Sequence, residues 1–393
     1  MSLSFIILLV CAWIVASGAL LAFAFRGELL RAWREPVLTA PVLIVESDDW
    51  GYGPLQQVEM LGRIAAVLSR HHDARGHPAV MTLGVVLCGP DAARMAAEGC
   101  AAYRRTGLSS PGLARVRIAM ASGVRERVFA LQLHGMEHFW PDVVLRLAAG
   151  DASLRDWLTT VPFAETERLP SALQSRWVDA STLPSKELPG DAIDAAAAEE
   201  VRTFEAIFGG RAEVVVPPTF VWTAEVEAAW RRAGVGVVIT PGVRYGSRDA
   251  AGKPVASRPR FHNGQRSSSG LTYLVRNDYF EPALGHGAER ALAALEEKTR
   301  LGRPTLLETH RSNFVGKAAA PARSLEELDR LLGEARRRWS SLRFMSSAEL
   351  AEQYRRGGAL LERRLLPRLR CFILRLPRAP RLRIGPFGLT KSR

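Results

Sequence analysis

The sequence predicts an α/β barrel preceded by a transmembrane helix. Eight short apolar runs have the composition of buried strands, at residues 42–46, 80–87, 128–133, 214–217, 235–240, 271–275, 305–308 and 342–345. Stretches with the apolar spacing of helices lie between most of these runs, among them LQQVEMLGRIAAVLSR and ERALAALEEKTR. Continuous apolar strands that alternate with amphipathic helices indicate a parallel sheet covered on both faces. An open, doubly wound sheet is the alternative.

Polar side chains at the ends of these runs favour the closed barrel. Asp48 and Asp49 follow the first run, His134 follows the third and His310 follows the seventh. In α/β barrels, functional residues collect at the C-terminal ends of several different strands, whereas an open sheet gathers them at one switch point. The expected fold is therefore a TIM-like (β/α) barrel.

The N-terminus predicts a membrane-spanning helix. Residues 2–25 contain no charged side chain. As a helix they would extend roughly 36 Å, against a hydrocarbon core of about 30 Å. A cleaved signal peptide is the alternative, because small residues occur near Ala24, but a signal peptide normally begins with a basic region that this segment lacks. Arg26, Arg31 and Arg34 follow the span and favour a cytoplasmic body, with an extracytoplasmic one as the alternative.

The net charge of +13 is concentrated at the C-terminus. Residues 355–393 contain 12 Lys and Arg against Glu362 alone, a balance of +11, which leaves about +2 for the rest of the chain. A nearly neutral body argues against a nucleic-acid-binding domain. Within the tail, Arg alternates with Leu, Ile and Phe, a pattern that suits contact with anionic lipid. A disordered, solvated tail is the alternative.

These observations divide the chain into four parts. We expect a transmembrane anchor at residues 1–26, a linker at 27–40, a barrel at 41–354 with a long insertion at about 139–193, and a basic apolar tail at 355–393. The four cysteines have neither the spacing of a structural zinc site nor that of a disulfide framework. Free thiols agree with a cytoplasmic body.

Two histidines spaced four residues apart predict a metal site. At a strand end followed by a turn, His134 and His138 can both reach one metal ion. A nearby carboxylate would complete a two-His, one-Asp set with open positions for water and substrate. Asp48 and Asp49 can divide the remaining work, because one can bind the metal while the other takes a proton from water. The alternatives are an aspartate that caps the next helix and histidines with structural roles.

These motifs resemble those of the polysaccharide deacetylase family, also called carbohydrate esterase family 4. The family's first motif ends in Asp-Asp, as ESDDWG does at Asp48-Asp49, and its second is His-x-x-x-His, as at His134 and His138. Its late Leu-x-His motif resembles Leu307-Glu308-Thr309-His310, which is one residue longer. The segments RNDYFEP, THRSNF and FMSSAEL also resemble a deacetylase-like branch found in bacterial polysaccharide gene clusters. The similarity covers roughly residues 41–350.

The resemblance implies a distorted barrel of the glycoside hydrolase/deacetylase type that binds one divalent metal ion. Zinc is the favoured metal, with cobalt, manganese, nickel or iron as other candidates. Asp49, His134 and His138 would be its ligands, Asp48 the general base and His310 the general acid. The implied reaction removes an acyl group, an N-acetyl group in the first place, from a polysaccharide or a lipid-linked sugar.

The sequence departs from the family at the third motif. Arg-x-Pro-Tyr has no clear counterpart in VVPPTFVW, although Arg276 or Arg311, each beside another strand end, could replace its salt bridge to the base. Two other functions therefore stay open. One is another hydrolase on the same barrel, which would cleave a glycosidic bond or a different carbon–nitrogen bond. The other is a non-catalytic, membrane-held glycan-binding protein.

Overall fold

The computed structural model describes residues 3–257, 260–316 and 320–378. Its helices are α1 (Leu3–Ala24), α2 (Arg26–Arg34), α3 (Gln57–Leu68), α4 (Ala92–Ala97), α5 (Ala114–Arg125), α6 (Pro141–Ala148), α7 (Ala152–Leu158), α8 (Gly190–Phe208), α9 (Ala224–Ala233), α10 (Ala288–Arg300), α11 (Pro321–Arg338), α12 (Ser347–Arg356) and α13 (Leu365–Arg375). Its strands are β1 (Val42–Gly51), β2 (Met81–Val86), β3 (Cys88–Pro90), β4 (Arg105–Gly107), β5 (Phe129–Leu133), β6 (Val214–Val215), β7 (Val237–Thr240), β8 (Tyr245–Arg248), β9 (Pro254–Ala256), β10 (Thr272–Val275), β11 (Asp278–Tyr279), β12 (Thr305–His310) and β13 (Arg343–Phe344).

One parallel sheet contains most of these strands. Its order is β10-β7-β6-β5-β2-β1-β12-β11, and β13 pairs with the first two residues of β1. All eight predicted strands belong to this sheet, and the two-residue β11 is an addition that the apolar pattern did not predict. Two short antiparallel pairs, β3 with β4 and β8 with β9, lie outside it.

The segment 272–279 joins the two ends of this strand series. Its first part, β10, pairs with β7, and its last part, β11, pairs with β12. Between them, the amide of Arg276 donates to the carbonyl of Thr240 and the amide of Asn277 donates to the carbonyl of Leu306, each at 3.0 Å. The sheet thus curls around a central interior, and the expected α/β barrel with an N-terminal apolar helix is confirmed.

The interior face of β1 changes from apolar to polar along the strand. On β1, Val42, Ile44, Glu46 and Asp48 alternate with residues on the other face and are all buried. Val42 and Ile44 belong to an apolar cluster with Leu306 at the N-terminal ends of the strands. Glu46 and Asp48 follow towards the C-terminal ends. The buried polar side chains of β1 therefore lie towards the C-terminal end of the barrel.

The long insertion after β5 folds around a small core of its own. Phe139, Val144, Leu154 and Trp157 pack together there, away from the main core. The indole of Trp157 donates to the carbonyl of Glu165 at 2.8 Å, which fixes the loop that follows α7. The insertion is therefore an ordered unit at the edge of the barrel.

The apolar N-terminal helix lies outside the core. Residues 4–24 have a mean hydropathy of 2.6, and none of the most apolar window is buried. Among the described residues, this is the one helix long and apolar enough to cross a membrane. Such a helix can be a membrane span or a signal sequence.

The predicted linker and the start of the predicted tail form a docked pair of helices. The linker contains α2, and the tail contains α13, which packs against it. Leu361 forms an isolated bridge with Leu38, and the amide of Glu362 donates to the carbonyl of Val37 at 2.8 Å. The predicted tail continues to residue 393, and its residues 379–393 lie outside the described part of the chain.

Candidate metal centre and active site

The end of β1 directs two adjacent carboxylates towards the same space. In a regular strand Asp48 and Asp49 would point to opposite faces. The register between β1 and β2 shifts between Ser47 and Trp50, and Asp49 has a φ of 68°. A left-handed conformation at a residue other than glycine costs roughly 1–2 kcal/mol, so the surrounding structure must enforce it. This bulge turns Asp49 towards His134.

Asp49, His134 and His138 form a cluster of potential metal ligands. One ligand atom from each residue lies within 4.8 Å of the others. The Asp49 Oδ1 atom is 3.4 Å from Nε2 of His134 and 3.7 Å from Nε2 of His138. The structure therefore brings together the three residues expected as ligands.

The donor set of this cluster fits a divalent cation. The Nδ1 atom of His134 lies 2.9 Å from the carbonyl of Val216, so this nitrogen is the donor and Nε2 is left to bind. Burial alone would raise the pKa of Asp49, but the hydrogen bond with His134 and the charges of His138 and His310 hold it below its ordinary value. Two nitrogens, one carboxylate and open positions suit zinc and related metals.

The same cluster attracts positive charge. Burial lowers the pKa of His138 to about 4, which keeps its imidazole neutral and able to bind. Burial would also lower the pKa of His134, but the carboxylates of Asp48 and Asp49 outweigh it and raise this pKa. A cation at the cluster would take the place of the proton that these carboxylates draw to His134.

Arg276 holds the second carboxylate, Asp48, through both of its oxygens. The Nη1 and Nη2 atoms of Arg276 donate to Asp48 at 2.5 and 2.8 Å. Burial would raise the pKa of Asp48, but the Arg276 guanidinium holds it below its usual range. Gly84 lies against the Asp48 carboxylate, and a Cβ atom at this glycine would overlap with it. Asp48 is therefore an ionised, fixed and closely surrounded carboxylate.

The choice between the two candidate arginines is settled by these contacts. Arg311 donates to the carbonyl of Tyr52 at 2.9 Å and lies 3.9 Å from Glu167 of the insertion, so its hydrogen bond goes to the loop after β1. Arg276, by contrast, binds Asp48, and it also donates to Glu46 at 2.6 Å. Arg276, and not Arg311, therefore forms the salt bridge to Asp48 that was expected of one of these two arginines.

His310 lies on the other side of the site and is oriented by Glu281. Its Nδ1 atom is 2.6 Å from Glu281, which also accepts a hydrogen bond from Asn313. Burial would lower the pKa of His310, but the hydrogen bond with Glu281 and the charges of Asp49 and Asp48 raise it to about 10. His310 thus holds a proton at neutral pH and keeps Nε2 directed away from Glu281.

Glu308 shares the face of β12 that carries His310. Its carboxylate lies 3.7 Å from Arg276 and 3.8 Å from Nε2 of His310. Burial raises the pKa of Glu308. Leu307, the leucine of the resembled motif, belongs instead to the main apolar core. The extra residue in that motif therefore places a carboxylate, rather than a leucine, beside Arg276 and His310.

A buried charge network supports the turn that carries His134 and His138. The Arg176 side chain of the insertion donates to Glu137 at 2.8 Å and to Glu200 at 3.0 Å. Glu200 also accepts from the amide of Met136 and from the indole of Trp230. Such outer partners fix the orientation of ligands. The insertion is thereby part of the support of the site.

Sequence reasoning missed several of these supporting residues. Glu281, Glu200 and Arg176 were not predicted, because each is distant in sequence from the group that it orients. Only Glu281 had a usable signal, since it follows a strand end in the segment RNDYFEP.

Comparison with known proteins finds similarity in fold alone, and at low sequence identity. No family model and no curated protein matches the sequence. Solved structures that match it include a putative polysaccharide deacetylase from Mycobacterium smegmatis, with 12% identity, a TM-score of 0.39, and coverage of 84% of this chain and 99% of that one. A peptidoglycan N-acetylglucosamine deacetylase matches with 10% identity, a TM-score of 0.38, and coverage of 81% and 91%. A family 4 pseudoenzyme from Bacillus anthracis has 10% identity, a TM-score of 0.35, and coverage of 80% and 66%.

The matching structures include several deacetylases and members of carbohydrate esterase family 4, together with a 4-alpha-glucanotransferase from Thermococcus litoralis. The chain resembles that family. At these TM-scores the comparison adds nothing to the assignment of individual residues, which depends on the geometry described above.

We predict that Asp49→Ala, His134→Ala and His138→Ala each abolish stoichiometric zinc binding while the fold survives. Each change removes one of three donors that converge on the same point. Metal content after equilibration with zinc and gel filtration measures the effect, with circular dichroism as the test of folding. His77→Ala, which changes a histidine at the opposite end of the barrel, is the matched control. One zinc ion retained by all three variants would refute the ligand assignment.

Proposed function

We propose that the protein is a metal-dependent hydrolase that removes an acyl group, N-acetyl in the first place, from a polysaccharide or a lipid-linked sugar. The observation that carries this proposal is the arrangement of an arginine-bound carboxylate and a protonated histidine around the Asp49, His134 and His138 cluster. Amide hydrolysis needs a group that takes a proton from water and another that gives one to the leaving nitrogen. Asp48 and His310 have the required opposite states.

The residues of the site have distinct roles in this proposal. Asp49, His134 and His138 hold one divalent ion, with zinc favoured, and when bound this ion polarises the acyl carbonyl and lowers the pKa of water. Asp48 accepts a proton from the attacking water as the new carbon–oxygen bond forms. His310 then donates its Nε2 proton to the leaving nitrogen as the carbon–nitrogen bond breaks. The products are a carboxylic acid, which ionises in solution, and a free amine.

Arg276 and Glu281 make this division of labour possible. Arg276 stabilises the negative form of Asp48, so the base is available at neutral pH. Glu281 stabilises the positive form of His310, so the acid keeps its proton under the same conditions. Two groups held in opposite protonation states are typical of acid–base sites.

We predict that Asp48→Asn keeps the metal but lowers kcat by about 10²- to 10⁴-fold, the usual contribution of a general base. The change removes the proton acceptor and keeps the side-chain shape. Acetate released from N-acetylglucosamine oligosaccharides by the zinc-loaded protein measures activity. Asp278→Asn, which alters a partly buried aspartate paired with Arg290, is the control. Unchanged kcat in Asp48→Asn would exclude Asp48 as the base.

We predict that Glu281→Gln moves the alkaline limit of the activity profile to lower pH. A general acid works only while protonated, and the raised pKa of His310, about 10, delays its loss of the proton. Without the Glu281 charge this pKa falls, so activity declines at a lower pH. A cation bound by Asp49 offsets part of the charge near His310 but leaves the Glu281 contribution in place. The pH dependence of kcat/KM measures the shift, and an unchanged alkaline limb would contradict the assigned acid.

We further propose that the enzyme is held at a membrane by α1 and the basic tail, with its body on the cytoplasmic side. Arg26, Arg31 and Arg34 follow α1, and no charged side chain precedes it. Basic residues are retained preferentially on the cytoplasmic side of a span.

We predict that protease added to intact bacterial spheroplasts leaves a C-terminal tag uncut, because the body is enclosed. The same protease added after detergent lysis should remove the tag, which controls for its accessibility. Cleavage in intact spheroplasts, or a mature N-terminus near Phe25, would place the body outside and support the signal-peptide alternative.

A further inference from the structure

The helices α2 and α13 pack together at one end of the barrel. The rings of Trp33 and Phe372 meet edge to face at 5.7 Å, and the Arg368 guanidinium lies 4.8 Å from the centre of the Trp33 ring. Arg375 is 2% exposed and donates to several backbone carbonyls of the body, including those of Glu35, Pro36 and Leu301. The inner face of α13 is thus fixed to the body by specific contacts.

The outer face of α13 is apolar and exposed. Leu365, Leu366, Leu369 and Ile373 are 64%, 78%, 39% and 55% exposed. At about 100° per residue these four side chains fall within an arc of roughly 100°, opposite the buried Cys371 and Arg375. A helix that only needed to pack on the body would carry polar residues here.

Basic residues surround this outer face. Arg363, Arg364 and Arg370 are exposed next to it. Glu362, the single acidic residue of the tail, pairs with Arg364 at 2.7 Å. The residues beyond Arg378 add Arg381, Arg383, Lys391 and Arg393 without any Asp or Glu. An apolar stripe flanked by arginines is typical of helices that lie in the interface of an anionic membrane.

The helix α13 lies close to the end of the possible membrane span. Helical hydrogen bonds continue across the junction of α1 and α2, from the amide of Phe25 to Leu21 and from the amide of Leu29 to Phe25. The Arg26 guanidinium also lies 4.4 Å from the centre of the Phe23 ring. Because α13 packs on α2, it therefore stays near the bilayer that α1 enters.

We infer that the outer face of α13 lies in the interfacial layer of an anionic membrane, and that the barrel stands on the bilayer with its N-terminal strand ends towards the lipid. Arg375 of α13 donates to the carbonyls of Leu301 and Gly302, just before β12, and the amide of Glu362, just before α13, donates to the carbonyl of Val37, just before β1. Glu35, at the end of α2, pairs with Arg303, which also precedes β12. The candidate site lies at the opposite ends of the same two strands. From Val42 to Asp48 the chain rises about 20 Å at roughly 3.3 Å per residue.

This orientation narrows the substrate class, a step that rests on the proposed function. A site about 20 Å along the strands from the anchored end, by the same rise of about 3.3 Å per residue, faces away from the lipid headgroups. It would act on acylated sugar units that extend away from the membrane or are free in solution. A single sugar attached directly to a lipid headgroup would not reach it.

Two exposed leucines at opposite ends of the barrel allow a matched test in the full chain. Leu366 on α13 is 78% exposed, and Leu284, which follows β11 beside the candidate site, is 74% exposed. Each is replaced by cysteine in a background with Cys11→Ala and Cys100→Ser, and is labelled with an environment-sensitive NBD fluorophore. The chain is then placed in nanodiscs of phosphatidylglycerol or of phosphatidylcholine, and the parent without a new cysteine supplies the background signal.

We predict a blue-shifted emission from the label at position 366 and its quenching by doxyl lipids, both stronger in phosphatidylglycerol and weakened by salt. The label at position 284 should remain water-like in both lipids. A water-like label at position 366, equal quenching of both labels, or a chain that does not enter nanodiscs would overturn the inference. A shift in detergent alone that rises with protein concentration would also overturn it, because a second copy would then cover α13. None of these readouts depends on activity, so loss of the proposed hydrolysis would leave this result unaffected.

Discussion

The candidate site depends on one buried guanidinium. Arg276 binds both oxygens of Asp48, donates to Glu46 and lies near Glu308. Transfer of a carboxylate from water into a protein interior costs several kcal/mol unless a partner compensates. Without Arg276, Asp48 would lose the charge that opposes the effect of its burial and would be driven towards its protonated form. The ionised state of Asp48 therefore depends on this arginine.

The position of Arg276 follows from the way the sheet closes. Arg276 lies at the junction of β10, which pairs with β7, and β11, which pairs with β12. At this junction its side chain reaches the carboxylates of β1 across the interior. The same junction leads directly to Glu281, which orients His310. One segment, 272–281, thus connects the closure of the barrel with the protonation states of both Asp48 and His310.

Local sequence patterns predicted the strands and the groups at their ends, because burial and strand termini leave strong signals over a few residues. They did not predict the orientation of Asp49, since strict alternation would direct it away from Asp48, and the bulge at this point depends on pairing with β2. The selection of Arg276 over Arg311 depends on contacts between residues more than 200 positions apart, which no local pattern contains. The docking of α13 on α2 was missed for the same reason, since the local composition of the segment predicted only a basic apolar tail.

The proposed chemistry depends on the binding of one divalent metal ion by Asp49, His134 and His138, beside Asp48 and His310. Crystals of the body grown with zinc, measured on both sides of the zinc absorption edge, would test it directly, because anomalous differences locate the ion without reference to activity. We expect one strong peak bounded by Asp49 Oδ1 and by the Nε2 atoms of His134 and His138. A map without a peak at that position, or with its principal peak elsewhere, would contradict the account.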